Sequence, residues 1–173
     1  TNFSNINYLA LGKDGNTAAV TFSAPATTVK GNVDVWGGAV TLSGAITTTV
    51  NGTVTVKATG ALAANANITA DGEVMLRAGT SFSSSAGTSG AYRIISTTND
   101  DITVWTNYVN ATAGGLTLGN YTRIDAAGGD ITIGGGADAD SNLRPDGPIV
   151  SSTDDGIGLG TSAIANGVII RSY

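Results

Sequence analysis

The chain has 173 residues and a formal net charge of -5, with eight Lys and Arg, thirteen Asp and Glu, 25 Gly and neither Cys nor His. Scattered cations argue against a phosphate-tracking surface, and so against nucleic acid as a partner. The missing Cys and His exclude disulfides, thiolate chemistry and a soft-metal site. No apolar run reaches the about eighteen residues of a membrane-spanning helix, so no membrane span is expected.

Thr, Val and Ile favour strands, Gly and Asn favour tight turns, and runs of helix-building residues are missing. An all-β chain follows. The first residue is Thr rather than Met, which suggests a processed product or a piece of a longer protein. A missing leader therefore says nothing in favour of the cytoplasm.

Residues 1–30 are the least regular. Asn5 to Leu9 and Ala19 to Phe22 read as strands around a turn at Lys13 to Asn16, forming either a variant rung or a cap. From Gly31 a motif recurs: apolar, polar, apolar. It is seen at Val33-Asp34-Val35, Val40-Thr41-Leu42, Val54-Thr55-Val56, Val74-Met75-Leu76, Ile102-Thr103-Val104, Leu116-Thr117-Leu118, Ile131-Thr132-Ile133 and Ile157-Gly158-Leu159. Each triplet has one dry face and one wet face and cannot stand alone. Val33 to Val54 is twenty-one residues and Val54 to Val74 is twenty. That spacing predicts rungs of three short strands, with Leu62 and Ile68 pointing inward on the other two sides, stacked as a parallel solenoid.

Ser81 to Gly90 interrupts the pattern with nearly featureless Ser-rich sequence around Phe82. Val74 to Ile102 is twenty-eight residues, which implies either an inserted loop or a wider rung using Tyr92 to Ile95. Leu116 to Ile131 is only fifteen, so some triplets lie on different faces or some rungs are shorter. Ala137 to Pro148 reads as a loop, and Ile157 to Leu159 and Val168 to Ile170 close the chain. One domain covers 1–173: an irregular start over 1–30, clean repeats over 31–135, and a loop with final rungs over 136–173.

The repeats GTVTV, GGLTL and GGDITI, with Asn-Gly and Gly-Gly turns, resemble the filamentous-haemagglutinin type of bacterial adhesin. The resemblance covers residues 31–135 best. It implies a right-handed parallel β-helix in an exported fibre, extracellular or on the outer cell surface. Its partners would be copies of the chain or neighbouring rungs of a longer one, and a host or environmental glycan or protein.

Candidate sites are few. The pairs Asp100-Asp101 and Asp154-Asp155 point neighbouring side chains to opposite faces and suit turns better than paired acid and base work. Asp34 could still meet a carboxylate one rung away. With the cations spread singly, no enzyme activity and no catalytic residue are expected; a polysaccharide-binding or polysaccharide-degrading β-helix is the alternative. Asp138, Asp140, Asn142 and Asp146 alternate carboxylates as a calcium loop does, but in one irregular copy that reads better as a solvated turn, so no cofactor is expected. Thr41, Thr55, Thr103, Thr117 and Thr132 occupy triplet centres and would form a hydroxyl ladder, the feature of ice-binding solenoids, broken by Asp34, Met75 and Gly158. The contact surface is expected at Trp36, Trp105, Tyr92, Tyr108 and Tyr121, with Trp36 and Trp105 outward by alternation. Asn2, Asn51, Asn67, Asn110 and Asn120 begin Asn-x-Ser/Thr sequons.

Overall fold

Backbone pairing in this chain runs along one axis, from each turn of the coil to the next. The computed structural model describes residues 2–3, 5–109, 114–136, 145, 157–159 and 168–172. Strand β1 (Asn2–Phe3) comes first. Three strands then make each rung, beginning with β2 (Tyr8–Leu11), β3 (Val20–Phe22) and β4 (Thr27–Val29). The second rung is β5 (Asn32–Gly37), β6 (Val40–Leu42) and β7 (Ile46–Thr48), and the third is β8 (Val54–Ala58), β9 (Leu62–Ala64) and β10 (Ile68–Thr69). The fourth is β11 (Val74–Ala78), β12 (Phe82–Ser84) and β13 (Arg93–Ser96). The fifth is β14 (Ile102–Thr106), β15 (Leu116–Leu118) and β16 (Thr122–Asp125), and the sixth is β17 (Ile131–Gly135), β18 (Ile157–Leu159) and β19 (Ile169–Arg171).

Equivalent strands of successive rungs pair in parallel. The first sheet is β2-β5-β8-β11-β14-β17, the second β3-β6-β9-β12-β15-β18, and the third β1-β4-β7-β10-β13-β16-β19. The fold is a right-handed parallel β-helix, the hand that parallel crossovers take. The irregular start is a rung: β2, β3 and β4 pair with β5, β6 and β7.

The register places like on like. Val54 pairs with Val33 on one side and Val74 on the other, and Val56 pairs with Val35 and Leu76. In the second sheet Leu62 lies between Val40 and Phe82, and in the third Ile68 lies between Ile46 and Ile95. All of these are buried in one continuous core. The three columns explain the uneven triplet spacing. Val33 and Ile131 belong to the first sheet, whereas Val40, Leu116 and Ile157 belong to the second.

Ser81 to Gly90 is not featureless in the fold. Phe82–Ser84 is a full strand, with Phe82 packed between Leu62 and Leu116. Ser84 is buried, yet its hydroxyl lies 3.0 Å from Thr122 Oγ1 and accepts the Gly119 N–H at 3.2 Å. A satisfied hydroxyl can occupy a core column at modest cost. The added length of this rung is the loop between β12 and β13, closed by a bridge between Thr88 and Ala91.

Tight corners demand small residues and side chains that satisfy backbone groups. A Cβ on Gly79 would lie 2.0 Å from the Thr59 carbonyl oxygen of the rung before, which only Gly permits. At the corner from third to first sheet, buried Thr48 donates to the Gly52 carbonyl and accepts the Asp71 N–H at 3.2 Å. One rung pair on, Thr97 donates to the Ala126 carbonyl at 3.0 Å. Near the last described strand Asp125 accepts from Arg171 Nε at 2.8 Å and lies 2.6 Å from its Nη2, tying β16 to β19.

Val54→Asp places an unpaired charge in the dry centre of the first sheet. It is expected to cost about 3–5 kcal/mol. Thr117→Asp, on an exposed outer position, is expected to stay within about 0.5 kcal/mol. Denaturant unfolding of the two variants checks the assignment of inward and outward faces.

Candidate functional site

The outer face of the first sheet is chemically divided. Along its leading edge, backbone bonds from Val54 to Glu73, Val74 to Asp101 and Ile102 to Asp130 align Glu73, Asp101 and Asp130 in one acidic column. Asp100 and Asp101 sit in the turn before β14, where Asp101 Oδ1 accepts the Asp130 N–H at 2.8 Å and Asp100 Oδ1 accepts the Asp101 N–H at 2.9 Å. They serve the corner. The middle column runs Ala10, Asp34, Thr55, Met75, Thr103 and Thr132. Asp34 thus has no carboxylate above or below it in that column; its Oδ2 accepts the Tyr8 hydroxyl at 2.7 Å.

Along the trailing edge Trp36 pairs with Lys57, Lys57 with Arg77, Arg77 with Trp105, and Trp105 with Gly134. Two loops fold onto this column. From the first rung Asp14 reaches Lys57 Nζ at 2.7 Å, and from the fifth Tyr108 places its ring 5.9 Å from the same ammonium. The Arg77 guanidinium lies 5.7 Å from the centre of the Trp105 ring, and Trp105 and Tyr108 meet edge to face at 6.0 Å. Such cation-aromatic contacts are worth about 0.5–1 kcal/mol each at partly exposed sites. Among the described residues the Arg77 guanidinium contacts Met75 Sδ and the Trp105 ring but no carboxylate. The Tyr108 hydroxyl is buried without a hydrogen-bond partner among the described residues, and burial raises its pKa above the ordinary phenol value.

The five expected contact aromatics form two groups. Trp36, Trp105 and Tyr108 share this corner, whereas Tyr92 and Tyr121 meet edge to face at 5.8 Å where the third sheet begins. Trp36 is partly exposed. Trp105 is not available: although outward by alternation, it is 2% exposed. Arg77 and Tyr108 lie over it, and its indole N–H donates to the Gly136 carbonyl at 2.7 Å. An outward position is covered when its neighbours are long and the next rung supplies Gly.

The expected hydroxyl ladder also divides. Thr55, Thr103 and Thr132 lie on the first sheet, interrupted by Met75 and with Thr103 buried, while Thr41 and Thr117 lie on the second. The longer run is on the third sheet: Thr28, Thr47, Thr69 and Ser96, one per rung. Asp138, Asp140, Asn142 and Asp146, the weak calcium candidates, lie outside the described residues, as do Asp154, Asp155 and Asn110. Among the described residues no group of three Asp, Glu, His or Cys is placed to hold a metal ion. Of the other sequons, Asn51 is exposed in a left-handed turn, whereas the Asn67 side-chain oxygen accepts from Arg93 Nη1 and the Ile94 N–H. The lysine-centred clasp leaves no mark in the sequence, because Asp14 and Lys57 are 43 residues apart.

The chain matches no family model, no curated protein and no solved structure.

Hydrogen bonding from Lys57, then its charge, holds the Asp14 carboxyl below the ordinary carboxylate range. A lowered folded pKa means the link is present above the ordinary value and lost as pH falls through the folded one. NMR titration should show the Asp14 midpoint below the ordinary carboxylate value and a rise toward it in Lys57→Met. An unchanged midpoint would remove the ion pair from solution.

Proposed function

We propose that the chain is a non-catalytic segment of an extracellular rod of the filamentous-haemagglutinin kind, displaying its side surface for adhesion. The observation that carries this reading is the unbroken parallel register of successive rungs, from Leu9 through Val33, Val54, Val74 and Ile102 to Ile131. In such a stack each strand pairs only with its counterparts in the neighbouring rungs, so length is added without altering the cross-section. Six rungs at about 4.8 Å each extend about 30 Å. The texture of GTVTV and GGDITI supports the same reading.

Four of the described carboxylates fit it as well. Asp100 and Asp101 bond corner backbone, Asp125 holds Arg171, and Asp14 holds Lys57. Each has a structural partner. The partners of the rod along its axis are further rungs of a longer chain or copies of this one, and those at its side are a glycan or a protein.

Small-angle scattering should show a constant cross-section, and incubation with a panel of acidic and neutral polysaccharides should release no new chain ends. Turnover abolished by replacing one Asp would overturn the non-catalytic reading. Thermal hysteresis at micromolar protein would replace adhesion with ice binding through the third-sheet hydroxyls.

A further inference from the structure

We infer that the trailing edge of the first sheet is a binding site for an acidic oligosaccharide, with Trp36 as the stacking platform and Arg77 and Lys57 as the groups that hold a sugar carboxylate. The inference deepens the proposed rod reading by assigning the partner at the side of the rod.

Charge distribution is the first argument. The chain is acidic overall, yet Lys57 and Arg77 stand together in this column, with Asp14 on Lys57 and Asp34 in the column beside it, while Glu73, Asp101 and Asp130 line the opposite edge of the same sheet. An anionic ligand laid along the rod is attracted to one edge and repelled by the other.

The second argument is the state of each group. Arg77 is held by the Trp105 ring and by Met75 Sδ, which takes Nε and Nη2, rather than by an acid, so Nη1 keeps its donors for a carboxylate. Lys57 is 26% exposed and bonded to an Asp14 that is itself 68% exposed, so a ligand carboxylate can take the place of that acid. The Tyr108 ring, whose buried hydroxyl has no hydrogen-bond partner among the described residues, lies in the same cluster, beside Trp105 and Lys57.

The third argument is a partly exposed ring, that of Trp36. The position beside Trp36 on the preceding rung is Gly12, at φ +77°, where a Cβ would fall 2.1 Å from the Trp36 carbonyl oxygen. Gly12 is thus required by the backbone and itself places no side chain beside the indole, which is partly exposed. Asn16 bonds the Trp36 carbonyl at 3.2 Å and fixes the strand beneath the ring. An indole face suits the C–H face of a sugar ring, and the two cations follow one and two rungs along, about 5 and 10 Å away. The indole is what favours a sugar over an acidic peptide.

The test titrates the chain with an oligogalacturonate of defined length, a neutral β-glucan oligosaccharide and a glutamate peptide of equal charge, following Trp fluorescence and heat. Binding of the oligogalacturonate, weakened by salt, is expected to fall at least about tenfold in Arg77→Gln and in Trp36→Ala, and to be unchanged in Arg93→Gln on the third sheet. Asp14→Asn frees Lys57 and removes a competing charge, so binding should tighten about two- to fivefold, a gain that a merely structural role for Asp14 would not produce. Circular dichroism of each variant shows whether the solenoid is intact. No binding of the oligogalacturonate at millimolar concentration, equal binding of the neutral sugar or the peptide, or unaltered binding in Arg77→Gln would overturn the assignment. Scattering on the same samples reports the rod independently.

Discussion

Backbone hydrogen bonds directed along the long axis, from each rung to the next in register, are the constraint on which every other feature depends. They fix which side chain stands over which. Once Val54 is paired with Val74, alternation alone sends Thr55 and Lys57 outward and buries Val56 and Ala58. A one-residue slip would reverse all of these assignments, so the apolar columns and the ladder enforce each other. The outer columns inherit the same register, and for that reason Trp36, Lys57, Arg77 and Trp105 form a line.

Corners are where this regularity is hardest to keep. The backbone turns sharply between sheets, and its polar groups need partners that the ladders do not supply. The chain meets the need with Gly where neighbouring rungs nearly touch, and with buried Thr48, Thr97 and Thr122 where a hydroxyl can satisfy a carbonyl. Where loops lengthen, they fold back onto the outer face: Asp14 and Tyr108 come from loops four rungs apart and meet the same lysine. The resulting cluster gives one edge of an acidic rod a cationic and aromatic character.

Much of the architecture is legible in the chain itself. The triplets at Val54 and Val74, twenty residues apart, identify a rung, and Leu62 and Ile68 between them mark the other two sides. What alternation does not carry is which of three faces a triplet occupies, because a period of two looks the same on each. Val40, Leu116 and Ile157 therefore resemble Val33 and Ile131 while belonging to another sheet. Ser84 was hidden by its polarity, since its partner Thr122 is 38 residues away. The covering of Trp105 was hidden for a related reason. Alternation predicts direction, and burial depends on what neighbouring rungs place alongside.

The most direct test of the in-register parallel ladder is NMR scalar coupling across the hydrogen bonds of the first sheet. Couplings are predicted from the amide nitrogens of Val54, Val74 and Ile102 to the carbonyl carbons of Glu73, Asp101 and Asp130, whose N–H to oxygen bonds measure 2.9, 3.0 and 2.8 Å. Partner numbers should rise together along each pair of strands. Couplings in which partner numbers fall as the strand advances, or which shift Val54 by one residue, would contradict the parallel stack.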